Sequence, residues 1–256
     1  MTVFRYLSAA LIPLLVIAAA WGLALPEING STKAAARAGD PVAQYEVARM
    51  YFEGIGVEQD TAEALKWATK AAEQGEPYAQ FTLGLMYMRG QDIPVDDVRG
   101  FELVKAAAEQ DHPQAQGVMA LIYGKGIGVP QDRDQFLYWV KRASDNGDPV
   151  SQFNLAILYL TGNMVDKDVE AARDVLTKSA NQGYIEAQAT LGELIMAGIV
   201  GKPDPVEACK WFAIAGTQGH PKANNLLMTL SKTMSTKQKR EAARQARQWM
   251  DLHSWE

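Results

Sequence analysis

Small and hydrophobic residues recur along the chain at helical spacing and at a fixed longer interval. A marker residue, glycine in five of six cases, returns every 36 residues. The markers are Gly39, Gly75, Asp111, Gly147, Gly183 and Gly219. Residues 4, 8 and 12 after a marker are generally small, then aliphatic, then tyrosine, which places them on one face of a helix. The pattern predicts a helix after each marker, in five full units and a partial sixth.

A second helix is predicted in each unit by an aspartate that recurs 21 residues after the marker. These residues are Asp60, Asp96, Asp132, Asp168 and Asp204. An aspartate just before a helix accepts a hydrogen bond from a first-turn amide that would otherwise lack a partner. We therefore interpret the five carboxylates as helix caps rather than as an acidic binding motif.

Glycine is expected to end the first helix of each unit, because it adopts the left-handed conformation without steric cost. The residues concerned are Gly54, Gly90, Gly126, Gly162 and Gly198. The first and third units carry a second glycine in the following loop, whereas the second and fourth do not. We expect these two loops to differ in shape from the others.

A helix pair of this kind cannot bury both of its faces alone, so successive pairs must stack. The sequence predicts an all-α fold, a right-handed superhelical solenoid of antiparallel helix pairs preceded by an N-terminal apolar helix. The solenoid covers 39–226, with a linker and its start at 26–38 and C-terminal capping helices at 227–256.

The motifs Tyr51–Val57 (Tyr-Phe-Glu-Gly-Ile-Gly-Val) and Tyr123–Val129 (Tyr-Gly-Lys-Gly-Ile-Gly-Val) are the most regular parts of the repeat. With the preceding Gly-Asp-Pro-x-Ala-Gln pattern, they resemble the Sel-one-like repeat (SLR) family, relatives of the tetratricopeptide repeats. The resemblance covers 39–226. It implies a helix-pair solenoid and an adaptor or scaffold role, in bacteria often at the cell envelope.

The last segment, 232–256, breaks the period and concentrates basic residues on a predicted helix. They are Lys237, Lys239, Arg240, Arg244 and Arg247. We interpret this helix as a cap whose polar face closes the stack. The alternative is a basic patch for anionic lipid or an acidic partner.

The N-terminal stretch Tyr6–Leu25 contains no charged residue and follows Arg5. As a helix, twenty residues rise about 30 Å, enough to cross a bilayer. The stretch is either a transmembrane anchor or a signal peptide cleaved near Ala24. Both alternatives place 26–256 in the bacterial periplasm, attached to the inner membrane or soluble. A buried N-terminal helix of a cytosolic protein is the third alternative.

Composition offers little support for catalysis. The net charge of −5 gives no reason to propose a nucleic-acid partner. The single cysteine, Cys209, is expected to be a buried helix residue, and the turn positions of His112 and His220 explain these histidines. No P-loop, nucleophile elbow or metal-ligand spacing occurs. We predict no catalytic residue, no metal ligand and no cofactor.

A partner is expected on the concave side, which the first helices of such solenoids line. The helical angle of 100° per residue places residues 3, 6, 7, 10 and 14 after each marker away from the packing stripe. In the middle units these positions are apolar, which predicts a groove for an extended peptide or an amphipathic helix. The predicted groove comprises Arg49, Tyr78, Phe81, Leu85, Arg89, Val118, Leu121, Lys125, Phe153 and Ile157. The alternative is that its apolar members pack sideways between successive first helices.

Two functional classes follow. The first is a protein–protein interaction scaffold or adaptor of the bacterial cell envelope, with residues 6–25 as its membrane contact if they are retained. The second is an envelope enzyme or a protein that binds a cell-wall ligand of the peptidoglycan type.

Overall fold

A computed structural model describes residues 30–90 and 92–253, in which thirteen helices and no strand are found. The predicted apolar helix at 6–25 lies outside the described residues. The contacts divide the chain into two compact units, the first ending at Asn146 and the second beginning at Gly147. This boundary falls within the single solenoid domain predicted from the repeat.

The first unit consists of seven helices, each packed against the next. They are α1 (Gly30–Ala38), α2 (Pro41–Glu53), α3 (Thr61–Glu73), α4 (Pro77–Arg89), α5 (Asp97–Glu109), α6 (Pro113–Lys125) and α7 (Arg133–Asp145). The first helices of the repeats are α2, α4 and α6, and the second helices are α3, α5 and α7. The short α1 takes the place of a second helix before the first full repeat.

The second unit repeats this arrangement and adds a longer terminal helix. Its helices are α8 (Pro149–Thr161), α9 (Val169–Asn181), α10 (Ile185–Met196), α11 (Pro205–Thr217), α12 (Ala223–Ser231) and α13 (Thr236–Leu252). Helices α8 to α11 pack consecutively, and α11 also contacts both α12 and α13. The all-α helix-pair architecture predicted from the sequence is confirmed.

The predicted aspartate caps are confirmed in every repeat. The carboxylates of Asp60, Asp96, Asp132, Asp168 and Asp204 each accept at least one first-turn amide. Four of the five first helices are capped from the residue before proline, which accepts the amide three residues further on, whereas Tyr184 before α10 makes no side-chain cap. The pairs are Asp40 with Ala43 (2.7 Å), Glu76 with Ala79 (2.6 Å), His112 with Ala115 (3.2 Å) and Asp148 with Ser151 (2.6 Å).

The loops without a second glycine keep the shape of the loops that have one, so the expected difference is wrong. Asp92 (φ 62°) and Met164 (φ 70°) adopt the left-handed conformation that Gly56 (φ 67°) and Gly128 (φ 71°) adopt in the other repeats. The same amide-to-carbonyl bond closes all four loops. It joins Asp60 to Tyr51, Asp96 to Tyr87, Asp132 to Tyr123 and Asp168 to Tyr159, at 3.0–3.1 Å. The packed helix ends therefore fix the loop path, and the non-glycine residues accept the strain.

The predicted glycine stops are confirmed in four repeats, where Gly54, Gly90, Gly126 and Gly162 cap the first helix in the left-handed conformation. The fifth repeat differs. Helix α10 is capped by Ala197 in a right-handed conformation, one residue early, and the expected Gly198 follows in the left-handed conformation (φ 68°).

A buried glutamine at the start of each first helix links neighbouring repeats. Its side-chain carbonyl accepts an amide from the end of the second helix of the same repeat, at 2.7–3.0 Å. The hydrogen bonds run from the side-chain amide of one residue to the side-chain carbonyl of another. The pairs, donor first, are Gln74 with Gln44, Gln110 with Gln80, Asn146 with Gln116, Gln182 with Gln152 and Gln218 with Gln188. Four of these glutamines, Gln44, Gln80, Gln116 and Gln188, donate in turn to the main-chain carbonyls of Ala36, Ala72, Ala108 and Ala180. We refer to this series as the glutamine relay.

Candidate partner-binding surface

The ten residues of the predicted groove lie on first helices, but they differ in exposure. Tyr78 and Lys125 are exposed, Arg49, Arg89, Leu121, Phe153 and Ile157 are half-buried, and Phe81, Leu85 and Val118 are buried. Eight of them lie on α2, α4 or α6 of the first unit. The other two, Phe153 and Ile157, lie on α8 of the second unit.

Three residues therefore do not form an exposed apolar floor. Phe81 is 8 % exposed, Leu85 3 % and Val118 6 %. The ring of Phe81 lies 4.7 Å from the imidazole of His112 and tilts towards it. The helical angle gives the side from which a residue emerges, but not how far neighbouring side chains reach across that side. For these three residues the burial agrees with the alternative of packing between helices.

An aromatic row runs across the first unit at the N-terminal ends of its first helices. Tyr45 stacks on Tyr78 at 5.9 Å between ring centroids, and Tyr78 meets His112 edge to face at 4.5 Å. With Phe81, whose ring also lies against the imidazole, these four residues form what we call the aromatic row. Tyr78 is 51 % exposed, so it presents the row to solvent.

His112 carries an unmatched hydrogen-bond donor beside Tyr78. Its Nδ1 accepts the amide of Ala115 at 3.2 Å, so in the neutral imidazole the proton resides on Nε2. That nitrogen is buried and has no hydrogen-bond partner among the described residues. Burial lowers the pKa of His112 to about 4, so the ring is neutral at pH 7. A buried donor without a partner costs free energy, and a hydrogen bond to any acceptor that reaches it relieves that cost.

The positively charged residues of the predicted groove are not equivalent. Arg49 forms ion pairs with Glu46 (3.3 Å) and Glu53 (3.5 Å), so its charge is neutralised locally. Arg89, at the end of α4, is half-buried, and burial lowers its pKa. No carboxylate pairs with Arg89 in the part of the chain that the structure describes. Arg89 and the exposed Lys125 are therefore better suited than Arg49 to attract an anionic group.

The two predicted residues of the second unit occupy a different setting. Phe153 meets Tyr184 edge to face at 5.4 Å, and both rings are half-buried. Burial raises the pKa of Tyr184 to about 12. Ile157 is half-buried one turn further along α8. Phe153 and Tyr184 pack against each other within the second unit, and each of the two rings is less exposed than that of Tyr78.

His112 is the residue of this surface that sequence reasoning missed, because its position in a His-Pro turn already explained it. A signal did exist: Tyr78 and Phe81 occupy exposed-side positions in the preceding repeat. An imidazole at the next cap lies within reach of both rings.

The chemistry-bearing side chains of the described ranges are few and scattered. No cluster of three histidine, cysteine or acidic side chains that could hold a metal ion occurs there. Cys209 is a buried free thiol packed with Met234 and Ala242, as predicted. Within the same ranges no helix combines the length and the apolar character that a membrane span requires.

The repeat itself identifies the family. The Sel1 repeat model matches five consecutive segments, 41–76, 77–112, 113–148, 149–184 and 185–220. The chain belongs to the Sel1 repeat family. Sel1 repeat proteins generally act as scaffolds for protein–protein interactions, and their fold is typical of non-enzymatic proteins.

Solved structures agree with this assignment. A Sel1 repeat protein from Oxalobacter formigenes is 31 % identical with a TM-score of 0.68, over 85 % of this chain and 88 % of the other. A protective antigen of uropathogenic Escherichia coli strains, which displays an SLR fold, is 27 % identical with a TM-score of 0.60, over 87 % of this chain and 56 % of the antigen. An immunity protein from Pseudomonas aeruginosa shares the fold at 20 % identity and a TM-score of 0.50, over 81 % of this chain and 83 % of the other. No curated protein sequence matches the chain.

Proposed function

We propose that this Sel1 repeat protein is an interaction scaffold of the bacterial cell envelope that binds a segment of another protein on the first helices of its first unit. The observation that supports this proposal is the exposed ring of Tyr78 over the unmatched Nε2–H of His112. An exposed tyrosine supplies a large contact area at low entropic cost. A partner's carbonyl oxygen would satisfy the imidazole once Tyr78 rotates aside.

Arg89 adds a second contact to the proposed surface. It lies eleven residues after Tyr78 on the same helix, about 16 Å along the axis. An extended segment of roughly five residues spans that distance. A partner segment with an acidic group near one end would pair with Arg89 while its main chain approaches His112.

The envelope location is proposed from the apolar stretch 6–25 that follows Arg5. A retained stretch would hold the chain on the inner membrane, whereas cleavage near Ala24 would release it into the periplasm. The bacterial origin of the similar solved structures is compatible with such a setting.

Affinity capture from membranes with the full-length chain tests both parts of the proposal. We expect Tyr78→Ser and Arg89→Glu each to reduce partner recovery at least about tenfold, the equivalent of 1.4 kcal/mol. Tyr138→Ser is the matched control, because Tyr138 is 49 % exposed but lies on the second helix α7. Recovery of an intact N-terminus in carbonate-washed membranes supports the anchor. Equal recovery by all variants, with unchanged thermal unfolding, would refute the proposed surface.

A further inference from the structure

The terminal helix α13 has one face committed to the fold. Ala242 and Ala246 are 1 % and 2 % exposed. Ala246 lies in the core cluster that contains Trp211 of α11, and Trp249 packs on Trp211 at 6.2 Å between ring centroids. The indole nitrogen of Trp249 also lies 3.4 Å from the side-chain oxygen of Asn181. The orientation of α13 on the second unit is therefore fixed, and so is the side that it turns to solvent.

The solvent side of α13 carries four basic residues in a line. Lys237, Arg240, Arg244 and Arg247 are all exposed. At 100° and 1.5 Å per residue they fall within an arc of about 80° and extend about 15 Å along the helix. We call these four residues the basic stripe. Its spacing is that of a single helix face, opposite the buried alanines.

Most of the charge on the stripe is not neutralised within the chain. Arg244 pairs with Glu241 and also donates to Gln248. No ion pair within 4 Å joins Lys237, Arg240 or Arg247 to a carboxylate in the described ranges, and the one acidic residue beside them in the shallow depression is Asp251, one turn after Arg247. This concentration of positive charge belongs to a chain whose net charge is −5. The stripe is therefore a local excess of positive charge on a chain that is acidic as a whole.

The shape of the stripe restricts what it can bind. The shallow depression beside it is lined by residues of α13 alone, so no second helix provides the wall of a groove. A peptide would find no pocket for its side chains there. A flat array of anions, in contrast, can meet all four side chains at once, and guanidinium groups pair with phosphate oxygens through two parallel hydrogen bonds.

We propose that the basic stripe docks α13 on a membrane surface rich in anionic phospholipid. Basic residues close to such a surface are attracted additively within a Debye length. Leu252, which is 82 % exposed at the end of α13, supplies an apolar contact with the interface. This docking is separate from partner binding by the first helices, and it does not require the stretch 6–25 to be retained.

A probe on α13 itself tests the proposal in the full-length chain. An environment-sensitive fluorophore is attached at Gln248→Cys, since the native Cys209 is buried. Phosphatidylcholine vesicles are compared with vesicles that also contain phosphatidylglycerol, in a roughly two-to-one ratio. We expect an emission shift with the anionic vesicles alone, and its loss at high salt. A local probe gives an answer even if another part of the chain binds both kinds of vesicle.

Two charge-matched variants decide whether the stripe is responsible. Arg240→Glu with Arg247→Glu should raise the lipid concentration needed for half of the shift at least about tenfold. Lys178→Glu with Lys202→Glu changes the net charge equally at exposed sites elsewhere in the second unit and should leave the titration near wild type. The proposal is overturned if the shift is equal on neutral vesicles, if no shift occurs, or if both double variants behave alike. An acidic protein or nucleic acid as the true ligand would give the second of these results.

Discussion

His112 in the first unit and Asp148 in the second occupy the same position of the repeat and perform the same backbone task. Each is buried, at 4 % and 5 % exposure, and each accepts the amide three residues further on. The backbone needs only an acceptor at this point, so an imidazole and a carboxylate are both adequate. Burial nevertheless shifts the pKa of the two groups in opposite directions, because it disfavours the charged form of each.

The difference predicts opposite responses to acid. Burial lowers the pKa of His112 to about 4 from the unfolded value of 6.5, so the stability that the neutral ring provides is lost as the pH falls from 6.5 to 4. Burial raises the pKa of Asp148 above its unfolded value of 3.8. The carboxyl group of Asp148 therefore costs stability as the pH rises through that value. The same position of the repeat therefore makes the stability of the two units depend on pH in opposite directions.

The largest expected effect comes from removing the titration of His112. His112→Asn keeps an acceptor for Ala115 but cannot gain a proton. Between pH 7 and pH 4 the wild type should lose roughly 3 kcal/mol more stability than the variant, measured by urea unfolding. His220→Asn is the control, because His220 makes the equivalent bond to Ala223 from a half-buried position. If the free energy of unfolding had the same pH dependence in wild type and in His112→Asn, the proposed contrast between His112 and Asp148 would be wrong.

A smaller effect of opposite sign is expected at Asp148. Asp148→Asn should gain stability relative to wild type as the pH rises from 3 to 7, by on the order of 1 kcal/mol. The reason is that a buried carboxylate no longer has to form. Asp40→Asn, at the same repeat position but exposed, is the control in the same unfolding series. If the difference in free energy of unfolding between wild type and Asp148→Asn did not change with pH, the hydrogen bonds from Ser151 would offset the effect of burial.

The smallest effect concerns the loop position that Asp92 fills in the first unit and Met164 in the second. Met164→Gly should stabilise the protein by about 0.5 to 1 kcal/mol, since left-handed strain outweighs the extra chain entropy of glycine. The gain should be smaller for Asp92→Gly, because aspartate tolerates this conformation better. Thermal unfolding measures both changes, and Gly128→Ala should lower the unfolding midpoint instead of raising it. No gain at Met164 would mean that its half-buried side chain contributes more than the strain costs.

The sequence was sufficient for the elements of the fold whose cause is local. The five aspartate caps and four of the five glycine stops are as predicted, because each depends on a few neighbouring residues. The loops at Asp92 and Met164 are different. Their conformation is imposed by helix packing, which overrides the preference of the residue itself.

The candidate surface was predictable only in part, because exposure depends on residues distant in the sequence. Helical angles correctly indicated that Tyr78 faces solvent. They could not show that Leu85 and Val118 are covered, nor that the imidazole of His112 lies against the rings of Tyr78 and Phe81. Such contacts cross from one repeat to the next, and a single-helix pattern does not contain them.

The glutamine relay has a consequence for how such a chain can change in length. Gln80 donates to Ala72 before it and accepts from Gln110 after it, and Gln188 likewise donates to Ala180 and accepts from Gln218. These two links thus use the same two kinds of hydrogen-bond partner in different repeats. Loss or duplication of one full 36-residue period in the gene would rejoin matching ends and restore the bond at the junction. The relay therefore allows recombination to adjust the number of repeats, and hence the reach of the scaffold, without a redesign of its interior.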